Sequence, residues 1–119
     1  MTDPFRTETG RKSWGRVVEA EHQVARPRRT GAVRDLLQQT GDRGLTALAH
    51  GLGRSYGDSN LNPGGALIET RGLDRFIALD VEARVLRAEA GVSFDDILRA
   101  IVPLGCDRCQ PVVCLVAGI

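Results

Sequence analysis

Between Ala49 and Gly65 the chain reads AHGLGRSYGDSNLNPGG, and this run restricts the fold more than any other. Gly51, Gly53 and Gly57 occupy its first half, and Pro63, Gly64 and Gly65 close the second. Proline removes a helical hydrogen bond, and each glycine weakens a helix by about 1 kcal/mol, so no helix follows the first glycines. Leu45–Ala49 reads as a short apolar strand before the run, and Ala66–Glu69 as another after the Asn62–Gly65 turn. The run is a loop fed by one strand and returned to the next.

That context excludes two nucleotide loops. The dinucleotide fingerprint requires G-x-G-x-x-G between a strand and a helix. Here Gly51-x-Gly53-x-x-x-Gly57 is one residue too long, and a prolyl turn stands where the helix belongs. A P-loop would need a lysine after Gly53, where Arg54 stands, and a glycine in place of Leu48. What remains is a loop whose glycines permit positive φ, so that backbone N–H groups can line one concavity and bind an anion. Ser55 adds a hydroxyl donor and Arg54 a positive charge. From the residues alone two readings stay open, an anion cradle and a glycine-rich turn with no ligand.

Residues 1–13 are polar and aperiodic and read as a loose N-terminal arm. Val17–Ala25 reads as a strand ending at Pro27, after which Thr30 is placed to cap a helix. That helix turns Val33, Leu36 and Leu37 to one face, and Gly41 stops it. Further strands are expected at Phe76–Asp80 and Val85–Ala90. Ser93, with Asp96 three residues on, opens a second helix through Phe94, Ile97, Leu98 and Ile101, which Pro103 and Gly105 end. The order β-α-β-loop-β-β-β-α gives an α+β fold class.

A length of 119 residues fits one domain or part of a larger one. Net charge is +1, which argues against a nucleic-acid or membrane-surface binder. Fifteen of the sixteen basic residues are arginine, Lys12 being the exception. No secretory signal and no membrane span is read, so a cytoplasmic setting is the expectation.

The loop HGLGRSYGD resembles the first flavin-pyrophosphate loop of the FAD-binding domains of the vanillyl-alcohol-oxidase, or PCMH, type. It is similar in particular to the decaprenylphosphoryl-ribose oxidase group, with the sugar-lactone oxidases nearby. RPRRTGAVRDLLQQ and LTALA fit the family's lead-in, and LDRFIALDVEARVLRAEAGVSFDDILRAIVPLG fits the segment between its two flavin loops. The resemblance runs from about Trp14 to Gly105. It implies the first subdomain of a PCMH-type FAD-binding domain, a small mixed sheet with two helices, in truncated form. His50, Gly51, Leu52, Gly53, Arg54, Ser55, Tyr56, Gly57 and Asp58 would then hold the FAD pyrophosphate. Tyr56 would lie near the flavin or pack on the loop, and Asp58 would cap the turn after it.

The same resemblance implies an oxidoreductase that moves a hydride from an alcohol carbon of a sugar, sugar lactone or polyprenyl-phosphate sugar to FAD. No catalytic residue is named in this segment. His50 stands where the family has arginine and reads as a solvated strand-end residue. Arg54 stands where relatives with covalent flavin have a histidine, so non-covalent FAD is expected. After Gly105 the family's P-G-T turn and second flavin loop are missing, and residues 106–119 read as a divergent tail from truncation or a frame change. The domain reading is therefore 1–13 arm, 14–105 FAD-binding subdomain, 106–119 tail. Cys106, Cys109 and Cys114 lack a fourth zinc ligand and the strand-helix frame of a redox dithiol, so no metal site is assigned. The rival readings are a non-catalytic module completed by a separate chain, and a small cysteine-based redox or metal protein.

Overall fold

The structure, a computed structural model, describes residues 2–105 and 112–115. Strands β1 (Phe5–Glu8), β2 (His22–Ala25), β3 (Ala47–His50) and β4 (Ala66–Glu69) form one sheet in the order β1-β2-β4-β3. β2, β4 and β3 run parallel, and β1 is antiparallel to β2. Strands β5 (Phe76–Asp80), β6 (Val85–Ala88) and β7 (Val112–Leu115) form a second sheet in that order, with β7 parallel to β6. Helix α1 (Thr30–Asp42) joins β2 to β3, and α2 (Phe94–Ile101) follows β6. The two α-helices and the α+β class are as expected, and the strands fall into two small sheets rather than one.

Cross-strand partners share a face of a sheet. Phe5, Ala25, Ala66 and Ile68 therefore point one way, and Leu36 of α1 packs on them to form the first core. His22, Val24 and Leu67 point the other way and are fully buried. The crossover between β3 and β4 meets this face at the histidines. Parallel neighbours need a connection of about a dozen residues or more, usually helical. Here residues 51–65 make it without a helix and lay Asn60 and Asn62 against the two buried histidines.

The first thirteen residues differ from the loose arm expected. Phe5 is 5% exposed within the first core, and β1 pairs residue by residue with β2. Arg11 reaches Glu69 at 2.5 Å and Glu8 at 3.2 Å, while Arg26 pairs with the same two carboxylates. These partners are distant in sequence, so local polarity concealed them. At β2 the strand begins only at His22, and Val17 is exposed.

Helix α1 also starts and stops differently. Its N-cap is Arg29, without a side-chain cap, and the Thr30 hydroxyl instead donates to Glu89 Oε1 at 2.9 Å. Gly41 lies inside the helix, and Gly44, at φ 67°, turns the chain after it. Leu37 is exposed, and Thr40 takes the buried position by donating to the Leu36 carbonyl at 2.7 Å. Helix α2 has the capping box expected. Ser93 Oγ accepts from the Asp96 N–H at 3.2 Å, and Asp96 Oδ2 accepts from the Ser93 N–H at 3.0 Å. Ile97 and Ile101 bury against Leu86, Ala88 and Val92 as the second core.

Glu89, 8% exposed, ties the two sheets together. Besides Thr30, it accepts the Arg75 N–H at 3.0 Å. Gly91 packs directly below, donating its N–H to the Leu73 carbonyl at 2.7 Å. A Cβ there would stand 2.0 Å from the Thr70 carbonyl oxygen and 2.6 Å from that of Leu73, both backbone atoms. Gly41 has open space around it. Gly91→Ala is therefore expected to lower stability by several kcal/mol, as overpacking against fixed backbone does, whereas Gly41→Ala raises it by about 0.5–1 kcal/mol. Thermal melts of the two variants should shift in opposite directions, and a shared direction would refute this packing.

Candidate functional site

The glycine loop leaves the carboxyl end of β3 beside the carboxyl end of β4, the edge at which open parallel sheets carry their ligands. His50 is the last residue of β3 and is 4% exposed, so the solvated position expected for it is corrected. Its Nδ1 lies 2.9 Å from the Asn60 carbonyl. A carbonyl only accepts, so Nδ1 carries the proton and donates. His50 is thus a post under the loop rather than a group at its surface.

Gly53, at φ 68°, passes closest to this post. A Cβ on it would lie 3.5 Å from both His50 Nε2 and Asn60 Nδ2. Gly57 takes φ 70°, so two of the three loop glycines use backbone that other residues rarely adopt. From Leu52 to Asp58 no backbone N–H donates to a protein acceptor among the described residues. The loop presents a row of unspent donors at the strand ends.

The remaining predicted residues are spread along that loop. Gly51, Leu52, Arg54 and Ser55 are exposed. Tyr56 is 84% exposed and meets Trp14 edge-on, with centroids 6.4 Å apart and planes at 80°. Asp58 does not cap the following turn with its side chain. Its carboxylate accepts the Ser13 hydroxyl at 2.7 Å, and its main-chain carbonyl accepts the Leu61 N–H at 3.0 Å.

Four contributors escaped the sequence reading. His22, at the start of β2, accepts the Asn62 N–H on Nε2 at 3.1 Å and is fully buried. Asn60 is 7% exposed, and neither side-chain polar atom has a partner among the described residues. Ser13 is buried against the loop, and Trp14 stands over Tyr56. The one available signal was a lone tryptophan in an otherwise polar arm. Lys12, Ser13, Trp14 and Arg16 line a recess of about 480 Å³ with Gly53 and Arg54 of the loop.

Residues 22–107 match the FAD binding domain family. The chain belongs to that family. It is 35% identical over 106 residues to decaprenylphosphoryl-beta-D-ribose oxidase of Mycolicibacterium smegmatis, covering 87% of this chain and 23% of the relative. The chain thus spans about a quarter of that relative's length. Among the described residues no helix is long and apolar enough to cross a membrane. Cys106 and Cys109 lie outside the described residues, as do all residues of the expected tail except 112–115.

His22 has a pH signature. Burial pushes the His22 imidazole below its ordinary value of 6.5, and the positive charge of Arg11 and the neighbouring His50 act the same way. The Ala20 carbonyl opposes this without making a regular hydrogen bond. Protonation would also abolish the lone pair that accepts from Asn62. The folded form therefore binds this proton less readily than the unfolded form, and stability falls as pH drops below about 6.5. Carboxylates with lowered values, such as Glu8 and Asp96, lose their contribution only below about 4.5. Denaturant midpoints should decline between pH 6.5 and 4.5 in the native chain, with a smaller decline in His22→Gln. An equal decline in the variant would remove His22 from the account.

Proposed function

We propose that the chain is the FAD-binding part of a flavin-dependent oxidoreductase acting on an alcohol carbon of a sugar, sugar lactone or polyprenyl-phosphate sugar. The observation that carries this reading is the row of unspent backbone N–H groups from Leu52 to Asp58 at the carboxyl ends of parallel strands. Such donors bind the oxygens of a diphosphate without a helix dipole. The Ser55 hydroxyl and the Arg54 guanidinium add a donor and charge on the same loop. The relative named above oxidises a polyprenyl-phosphate sugar by its name, and its likeness to this chain supports that substrate class over other alcohols.

In this reading the chain's residues bind and orient. Gly53 and Gly57 give the loop its curvature, His50 and Asn60 hold it off the sheet, and Tyr56 offers an aromatic surface at its rim. Bound FAD supplies the hydride acceptor. Arg54 cannot form the covalent flavin bond that a histidine would form at its position, so FAD is held non-covalently.

A second reading, completion of the site by a separate chain, is favoured by β5. Phe76, Ile77 and Leu79 are 46%, 53% and 43% exposed on an edge strand that offers apolar groups from both faces. Stoichiometric flavin on the purified chain alone would exclude it.

FAD added to the purified chain is expected to bind saturably through the loop's N–H groups. Ser55→Ala should weaken it about tenfold, the worth of one hydrogen bond to a charged oxygen. Acid precipitation should release all the colour into the supernatant. Colour retained on the pellet would overturn non-covalent binding, and unchanged affinity in Ser55→Ala would overturn the loop assignment.

A further inference from the structure

His50 and Asn60 fasten the inner end of the glycine loop, and its outer limb is held from elsewhere. From Leu52 to Asp58 no backbone N–H donates to a protein acceptor among the described residues. Among those residues one side-chain hydrogen bond reaches 51–59, and it comes from the arm. Ser13 Oγ donates to Asp58 Oδ1 at 2.7 Å, and Ser13 is 4% exposed. A buried hydroxyl without a partner is costly, so the bond is demanded from the Ser13 side. Its acceptor is a carboxylate, which places it among the stronger hydrogen bonds. The next residue, Trp14, meets Tyr56 edge-on, so two consecutive arm residues hold the same limb.

The arm has its own anchors away from the loop. Arg11 bonds to Glu69 at the carboxyl end of β4 and to Glu8 of β1. Glu69 stands opposite His50 in the register of β3 with β4, so both holds on the loop start from one sheet edge. On the other side of Ser13, Arg16 takes φ 55° and closes a turn with its N–H on the Ser13 carbonyl at 3.1 Å. Left-handed backbone at a non-glycine residue persists only where its surroundings over-determine it. Ser13 therefore sits between two fixed points. Asp58 is exposed and is the only acid among residues 51–58, so the bond also fixes where the loop's negative charge sits.

We propose that residues 11–16 are a strap that sets the shape of the glycine loop, with Ser13 as a positioning residue acting through Asp58. The strap orders the loop's free amides before a ligand reaches them, which lowers the ordering cost of binding. The proposal rests on the flavin reading only for its effect on FAD.

Tryptic cleavage of the full chain after Arg54 reads how firmly the loop is held, and cleavage after Arg87 in β6 serves as the reference. Ser13→Ala and Asp58→Ala are each expected to speed cleavage after Arg54 about tenfold, as for loss of one hydrogen bond to a charged group. Cleavage after Arg87 should not change. Because the two residues act through one bond, the double variant should match either single variant. Asp58→Asn, whose amide oxygen still accepts, should fall between native and Asp58→Ala. Unchanged cleavage after Arg54, multiplied effects in the double variant, or equal acceleration after Arg87 overturns the strap.

FAD titrated into the same variants should lose affinity about tenfold in the same pattern, with no further loss in the double variant. The strap and the flavin reading fail separately. FAD bound equally well by Ser13→Ala and the native chain overturns the positioning role. Cleavage after Arg54 that follows the expected pattern, with no FAD bound by any variant or by the native chain, overturns the flavin reading alone.

Discussion

The hydrogen bond from His50 Nδ1 to the Asn60 carbonyl is the constraint on which the site depends. β3 is an edge strand, and its parallel neighbour β4 can be reached only by crossing a face of the sheet. The crossover contains no helix, so its buried backbone groups must find partners outside a helical ladder. His50 donates to one main-chain group of the crossover, and His22 accepts from another, the Asn62 N–H. Two imidazole rings, one donating and one accepting, supply both contacts on one buried face. Between His50 and Asn60 the chain is free of the sheet, and there it carries the glycines.

The same division governs charge. At the ends of β1, β2 and β4, Arg11 and Arg26 are shared between Glu8 and Glu69, which holds the Glu8 carboxyl below its ordinary range. That network fastens the arm to the sheet and spends its arginines on structure. Past it, the chain turns through Trp14 and Arg16, which line the recess beside the loop with Gly53 and Arg54. An arm that looks dispensable in composition therefore contributes a core residue, a strand and one side of a recess.

What could be read from the sequence was what depends on near neighbours. Ser93 and Asp96 lie three residues apart and form their capping box within one turn. β4 and β5 match their expected bounds because each apolar run is bordered by turn residues on both sides. The strand-loop-strand path followed from Pro63 and the glycines, whose backbone limits are intrinsic. Illegible were features whose partner is far along the chain. Thr30 has the chemistry of a cap, yet a buried carboxylate 59 residues away competes for its hydroxyl and takes it. His50 and His22 look like solvent-facing polar residues until the crossover is laid over them. Arg16 carries no local signal at all, since the preceding glycine is the residue expected to turn left-handed.

The two sheets differ in how far each is closed, and this bears on what a binding segment needs. The first carries α1 on one face and, on the other, is bonded to the crossover through His50 and His22, so the loop is anchored to it at two points. The second has α2 on its inner residues, while β5 leaves its apolar side chains exposed along a free edge. Glu89 joins them, buried yet answered by Thr30 and Arg75 from both sides of the junction. A buried carboxylate satisfied in this way fixes orientation more than it adds stability, because its desolvation offsets much of what its partners contribute. The glycine loop and the apolar edge of the second sheet are therefore held in one geometry.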